Sequence, residues 1–382
     1  MKVYFDNAAT TPMDGEVLNA MMPYFTEQFG NPSSIHGFGR KTRTAIENAR
    51  KTVARLLNVT PAEIFFTSGG TEADNMAISQ CIASYDIKHV ISCEIEHHAV
   101  EHTLKVFEKA GKVKVSWVKT DDQGHIDLSH LEELLSNNPR SLVSLMHANN
   151  EIGTLLPLKE VGELCARYNA LFHSDTVQTM GHYRFDLKDV KVHFITCAAH
   201  KFHGPKGVGF LYINHDHKIT PFIHGGAQER NMRGGTENVA GIVGLAKALE
   251  LCYDALEEHQ KHIQALKDYM KKRLKDEIPG IEFNGDTTTA GSLYTVLNCR
   301  FPAHADAEMM LFNLDINGVA ASGGSACSSG SNQGSHVLRG IGADMSKPSV
   351  RFSFSKFNTS EEVDFVVGKL CEMYKIKEKQ TN

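Results

Sequence analysis

A basic surplus is absent from this sequence. Its 40 Lys and Arg residues stand against 45 Asp and Glu, a net charge of −5 with both signs dispersed. Nucleic-acid binders carry a basic stripe, so no nucleic-acid partner is expected. No run is long and apolar enough to span a bilayer, and the stretch from Met1 to Asp6 has no apolar core that could serve as a signal sequence. No membrane association is therefore expected, and the expected compartment is the cytoplasm. The eight cysteines, Cys81, Cys93, Cys165, Cys197, Cys252, Cys299, Cys327 and Cys371, include no Cys-x-x-Cys pair. That spacing argues against a disulfide framework and against a zinc site. The 20 histidines contain no His-Glu-x-x-His pattern, and the adjacent His97 and His98 point different ways on a helix or strand. No resident metal is expected. Internal repeats and low-complexity linkers are also missing. The one long polar stretch is the Gly/Ser-rich loop at 322–335, and such loops in compact domains are functional or disordered.

The 41% of hydrophobic residues and 22% of charged residues are those of a globular chain long enough for one large core and a smaller one. Short apolar runs alternate with amphipathic stretches. Strands are predicted over 64–67, 89–93, 113–118, 142–146, 170–173, 192–196 and 207–213, and helices over 71–84, 99–110, 128–136 and 158–168. This rhythm predicts an α/β fold with a mainly parallel sheet. A long helical pattern from 237 towards 275 is expected to cross into a smaller α+β unit. That unit has strands over 293–298 and 350–355 and helices over 305–314 and 360–373, and the N-terminal segment is expected to pack with it. The predicted division is a large domain, 15–260, and a small domain, 1–14 with 261–382, which carries the loop 322–335.

Ligands of parallel sheets bind beyond the carboxyl ends of the strands, and three segments at such positions carry chemistry. Thr67 to Glu72 follows a strand and opens a helix. Its Gly69 and Gly70 let backbone amides approach an anion at a helix N-terminus, although a glycine turn with a capping residue would read the same way. Asp175 follows another strand, where a carboxylate could pair with a cofactor ring nitrogen or simply close a turn; Gln178 lies three residues on. Lys201, in the run Ala199 to Gly207, follows a third strand and is flanked by aromatics and glycine. A desolvated lysine loses its proton readily and can form a Schiff base. A phosphate cradle, an acid and a lysine at the strand ends of one sheet are what pyridoxal phosphate requires. Most cysteines sit inside apolar patterns and read as buried and inert. Cys327 differs: it lies between Ser322 and Ser331 in a segment with no apolar face.

Over nearly the whole chain, from Asp6 to Arg351, these segments resemble the class V aminotransferase-fold enzymes. Within them the resemblance is to the cysteine desulfurases of the NifS/IscS type. The supporting stretches are Asp6 to Thr11, Gly30 to Ser34, Glu96-His97, Met146 to Gly153, Arg233 to Thr236, Ser325 to Ser329 and Arg351 to Ser353. The resemblance implies an aminotransferase-like α/β fold with a seven-stranded sheet. It also implies that Lys201 is the Schiff-base lysine, Asp175 the partner of the ring nitrogen, and Gln178 and Asn150 the partners of the ring hydroxyl. His97 would stack on the ring, while Gly70, Thr71 and His200 would hold the phosphate. Thr236 would reach the phosphate of another subunit, which implies a homodimer. Arg351, with Asn150 nearby, would bind the substrate carboxylate. Cys327 would carry sulfur as a persulfide, with at most a transient iron–sulfur contact.

The implied activity converts L-cysteine to L-alanine and passes sulfur to acceptor proteins, for iron–sulfur cluster assembly or thiolation. Lys201, Cys327 and His97 would be the catalytic residues. His97 is expected to help proton transfer because an ordinary imidazole titrates near working pH. The chain departs from the family at Ala198, three residues before the lysine, where serine is common; either one phosphate hydrogen bond is missing, or Thr196 or a water takes its place. The alternatives are a selenocysteine lyase, another class V aminotransferase, which would not need Cys327 on a loop, and a silent assembly subunit, which would not need Lys201 or Cys327.

Overall fold

The computed structural model describes residues 1–303, 309–323 and 334–375. Cys327 and most of the loop at 322–335 lie outside the described residues. Among the described residues there are twelve strands. They are β1 (Val3–Tyr4), β2 (Ile64–Thr67), β3 (His89–Cys93), β4 (Lys114–Val118), β5 (Leu142–Ser144), β6 (Leu171–Asp175), β7 (Phe194–Ala198), β8 (Gly209–Ile213), β9 (Glu282–Asn284), β10 (Val296–Arg300), β11 (Val319–Ala320) and β12 (Ser349–Ser353). The helices are α1 (Gly15–Met21), α2 (Pro23–Thr26), α3 (Gly37–Leu56), α4 (Gly70–Ser84), α5 (His98–Lys109), α6 (Leu128–Asn137), α7 (Leu158–Arg167), α8 (Val239–Asp254), α9 (Leu256–Glu277), α10 (Met310–Ile316), α11 (His336–Gly340) and α12 (Ser360–Lys375).

Seven strands form one sheet in the order β2-β8-β7-β6-β5-β3-β4. All its pairings are parallel except those of β8, which runs against both β7 and β2. The inner strands β3, β5, β7 and β8 are buried along their whole length, as strands covered on both faces must be. This is the mainly parallel, seven-stranded α/β architecture expected. Because β8 alone is reversed, the carboxyl ends of β2, β3, β5, β6 and β7 lie along one edge. Thr67 and Ala198 are both register partners of Gly209. The turn after β2 and the turn after β7 are therefore neighbours.

A second apolar cluster gathers Val3 and Phe5 with side chains of α9, β10, α10, β12 and α12. Here β1 pairs with β11, and β12-β10-β9 forms an antiparallel sheet. The N-terminal segment thus packs with the C-terminal part of the chain. Val337, Leu338 and Ile341 instead join the larger cluster, with Val17 and Leu245 among others.

Three expectations are corrected. The long pattern after 237 is two helices, α8 and α9, broken at Ala255, whose φ of −114° and ψ of 24° are not helical. Strand 293–298 is shifted to Val296–Arg300; Leu293, ahead of its start, packs with Val296 against Ala8 and Ala148. Residues 15–56, to which the sequence reading assigns no element, form α1, α2 and α3. The buried face of α3 includes Gly39, Thr42, Ala45, Ala49 and Arg50, a weak apolar signal in sequence.

Candidate active site

Each strand end contributes a functional group for a local reason. After β2, Gly69 (φ +152°) turns the chain into α4, whose N-terminus has no side-chain cap. Its first-turn N–H groups are left for a ligand. After β6, Asp175 Oδ1 accepts the Val177 N–H at 2.8 Å, a tight turn that brings Gln178 round behind it. After β7, a single helical turn over Ala199–Lys201 carries His200 and Lys201. After β5, the Asn149 side-chain oxygen accepts the N–H groups of Glu151 (2.8 Å) and Ile152 (3.1 Å), folding the chain back at Asn150. After β3, His97 caps α5: its Nδ1 accepts the Ala99 N–H at 3.1 Å. In the neutral ring the proton is then on Nε2.

One cavity of about 260 Å3 is lined by Gly70, Thr71, His97, Asn150, Asp175, Gln178, His200, Lys201 and Arg351. Nine of the predicted site residues are thereby brought together. Thr236 is not among them; it lines a separate cavity with Thr67, Ser68 and Arg233. Cys327 lies outside the described residues.

The N-terminal segment closes the site through its backbone. Lys201 Nζ donates to the carbonyls of Ala8 (2.5 Å) and Ala9 (2.9 Å), and Gln178 Nε2 donates to the same Ala8 carbonyl at 3.1 Å. Arg351, on β12 and 2% exposed, donates from Nη1 to the Asn150 carbonyl at 2.7 Å and from Nη2 to Asp6 at 2.9 Å. Its buried Nε has no partner among the described residues. The guanidinium is thus fixed in orientation with an N–H unspent in a cavity wall, which suits a carboxylate.

Burial dominates the electrostatics. It pushes the Asp175 carboxyl up to about 7, helped by the nearby Asp74 and opposed by the Val177 N–H, His173 and Lys201. Asp74, on α4, also lines the cavity and is itself pushed up to about 7 by burial. Its Oδ1 has no hydrogen-bond partner among the described residues and lies 3.4 Å from His173 Nε2. Sequence reasoning missed Asp74, since an aspartate within a helix reads as a solvated side chain. Burial, followed by the Lys201 charge, pushes His97 down to about 4. The expectation of an ordinary imidazole pKa near working pH is therefore corrected: this ring is neutral in the cavity. His200 is pushed down to about 4 by burial and Lys201, and its Nδ1 lies 3.2 Å from the Thr10 hydroxyl. Thr196 is not among the residues that line the cavity. It is fully buried, with its hydroxyl 3.1 Å from His173 Nε2, while Ala198 itself lines the cavity.

An α/β sheet with a lysine, a buried acid and a helix N-terminus converging beyond its strand ends defines an enzyme of the kind that holds an anionic cofactor. The aminotransferase class-V family model matches residues 3–366. Cysteine desulfurase IscS of Clostridium botulinum strain Hall is 43% identical over 378 residues, covering 98% of this chain and 94% of the relative. Cysteine desulfurase IscS of Methanosarcina thermophila is 44% identical over 375 residues, covering 97% and 91%. A solved structure described as a NifS-like protein superposes with a TM-score of 0.91 at 38% identity, covering 98% of this chain and all of that one. The chain belongs to the class-V aminotransferase family and, within it, to the cysteine desulfurases of the NifS/IscS type.

Proposed function

We propose that the protein removes sulfur from free L-cysteine, releases L-alanine, and holds the sulfur as a persulfide on Cys327 before an acceptor protein takes it. The observation that carries this reading is the convergence of Lys201, Asp175, His97 and Arg351 on the cavity into which the α4 N-terminus opens. The residues fit pyridoxal phosphate: an uncapped helix N-terminus beside Thr71 and His200 for the phosphate, a fully buried carboxyl for a ring nitrogen, and an amine at the end of β7. When bound, that cofactor supplies the electron sink that lets a substrate α proton leave and loosens the bond to sulfur.

The chain's own residues do the rest. Lys201 is the residue that would hold the cofactor, and its amine would carry a proton to and from the substrate α carbon. Asp175 would hold a ring-nitrogen proton by accepting its hydrogen bond. His97, neutral and protonated on Nε2, packs as a flat ring in the cavity wall. Gln178 and Asn150 are the proposed partners of a ring hydroxyl. Arg351 fixes the cysteine carboxylate. The Cys327 thiolate attacks the substrate sulfur: an S–S bond forms, the C–S bond breaks, its electron pair is protonated at the former β carbon, and alanine leaves.

The other seven cysteines are buried. Burial pushes Cys93, Cys165 and Cys252 up to about 12 and Cys81, Cys197 and Cys299 further still. Such thiols are poor nucleophiles, which supports Cys327. Thr236, set apart in its own cavity, is proposed to serve a second copy of the chain in a homodimer. The proposed domains are 15–260 and 1–14 with 261–382, supported by the two apolar clusters, with α11 the exception. Among the described residues no helix is long and apolar enough to cross a membrane; the cytoplasm is the proposed setting. Iron–sulfur assembly or thiolation is the proposed fate of the sulfur.

The test is a product assay on the cofactor-loaded protein. Cysteine should yield alanine and reducible sulfur in equal amounts. Amino-group transfer from cysteine to a keto acid without sulfur release would make it an ordinary aminotransferase, and turnover of selenocysteine alone would make it a selenocysteine lyase.

A further inference from the structure

We propose that His98, Glu101 and His336 form a binding site for a divalent transition-metal ion of zinc-like softness, which clamps α11 to α5 at the edge of the cavity. Ligand atoms from the three side chains all lie within 4.8 Å of one another, and among the described residues no other group of three His, Cys, Asp or Glu converges in this way. Donors bound at about 2.0–2.1 Å in a tetrahedron stand roughly 3.4 Å apart, so a small closing movement suffices. The site is invisible to sequence spacing, because His98 and Glu101 sit one turn apart on α5 while His336 arrives from the far end of the chain.

The surroundings prepare the donors. His336 Nε2 lies 2.8 Å from the Glu96 carbonyl oxygen. A carbonyl only accepts, so that nitrogen carries the proton and Nδ1 keeps its lone pair, which is how a backbone carbonyl sets the tautomer of a metal-binding histidine. Glu101 is mostly buried, with one carboxylate oxygen 3.2 Å from His98 Nδ1. The imidazoles crowd together: the His98 ring centroid is 4.4 Å from that of His336 and 4.6 Å from that of His102. An independent sign comes from Glu151. It is fully buried and lines the same cavity as His98 and His336. One carboxylate oxygen accepts the Ser335 hydroxyl at 2.5 Å, while the other has no partner among the described residues. This buried oxygen, with no bond among the described residues, faces the same cavity as the two imidazoles. Lys105, paired with Glu101, is the resident competitor.

The site stands independently of the desulfurase reading and is tested by binding alone. The full-length, cofactor-loaded protein, stripped with a chelator, is titrated with Zn2+ by equilibrium dialysis and with Co2+ by visible absorption. One ion per chain should bind, with the intense Co2+ bands of a four-coordinate site and a rise in the unfolding temperature. Glu101→Gln and His336→Gln should each weaken binding at least tenfold. Lys105→Ala, at an exposed position, should tighten it several-fold by removing the competing cation. Cys327→Ser should leave the affinity unchanged. Should His336→Gln fail to fold, Glu101→Gln and Lys105→Ala decide. Affinity unmoved by the Glu101 and Lys105 substitutions, or lost in Cys327→Ser, would overturn the assignment.

Discussion

Lys201 illustrates how a residue's role is divided between side chain and surroundings. Its position after β7 singles it out in sequence, but the two carbonyls that hold its ammonium belong to Ala8 and Ala9, which act through backbone and carry no side-chain signal. Lys201→Ala should abolish the borohydride-trappable linkage between protein and cofactor. Peptide mapping of the trapped wild-type protein should place that linkage on Lys201; a label on any other lysine would displace the assignment. Arg351→Ala should raise the cysteine concentration needed for half-maximal rate by roughly 10- to 100-fold, the equivalent of the ~1.5–3 kcal/mol typical of a charge-assisted contact. Cofactor affinity should change far less. An unaltered KM would mean that the substrate carboxylate binds elsewhere. Groups whose chemistry announces itself at a strand end, such as Asp175 and Lys201, are legible in sequence. Asp74 and the depressed pKa of His97 are not, because both are products of burial and of charges brought together only by folding.

Among the elements, the sheet was the most legible part, since buried strands flanked by helices leave strong apolar runs. The break between α8 and α9 was not, because the apolar pattern continues across Ala255 without proline or glycine. Gly209 shows what register adds. It opens β8 opposite both Thr67 and Ala198, and a Cβ there would stand 2.1 Å from the Cys197 carbonyl oxygen and 3.0 Å from Gly69. Only glycine lets the turn before α4 and the turn that carries Lys201 approach this closely. Gly209→Ala should cost about 1–3 kcal/mol of stability, the usual penalty of overpacking, read from a chemical denaturation midpoint. It should also weaken cofactor binding by moving the α4 N-terminus. A variant with wild-type stability and cofactor affinity would show that this packing does not position the site.

At the scale of the whole molecule, buried histidines govern the response to acid. His97, His147, His173, His182, His193, His200 and His203 are pushed down to about 4 by burial. Between about 4 and the ordinary value near 6.5, the native state binds fewer protons at these seven sites than the unfolded chain, so stability falls as pH falls through that window. Asp74 and Asp175, pushed up to about 7, act in the opposite sense, since the native state holds their protons where the unfolded chain has lost them. Glu96 and Glu151, also raised by burial, add to that side. Seven imidazoles outweigh four carboxyls, and the unfolding temperature should drop between pH 7 and pH 5. A flat or rising profile would contradict this balance.

The central claim is that sulfur from free cysteine comes to rest on Cys327. The most direct measurement is mass spectrometry of the intact, cofactor-loaded protein after a short exposure to cysteine, with peptide mapping and parallel determination of alanine. The account predicts the mass of added sulfur, located on the peptide that contains Cys327, together with alanine. In Cys327→Ser, the fold and cofactor band should be retained while both products are absent. Sustained alanine production by that variant, or sulfur located on another of the eight cysteines, would contradict it.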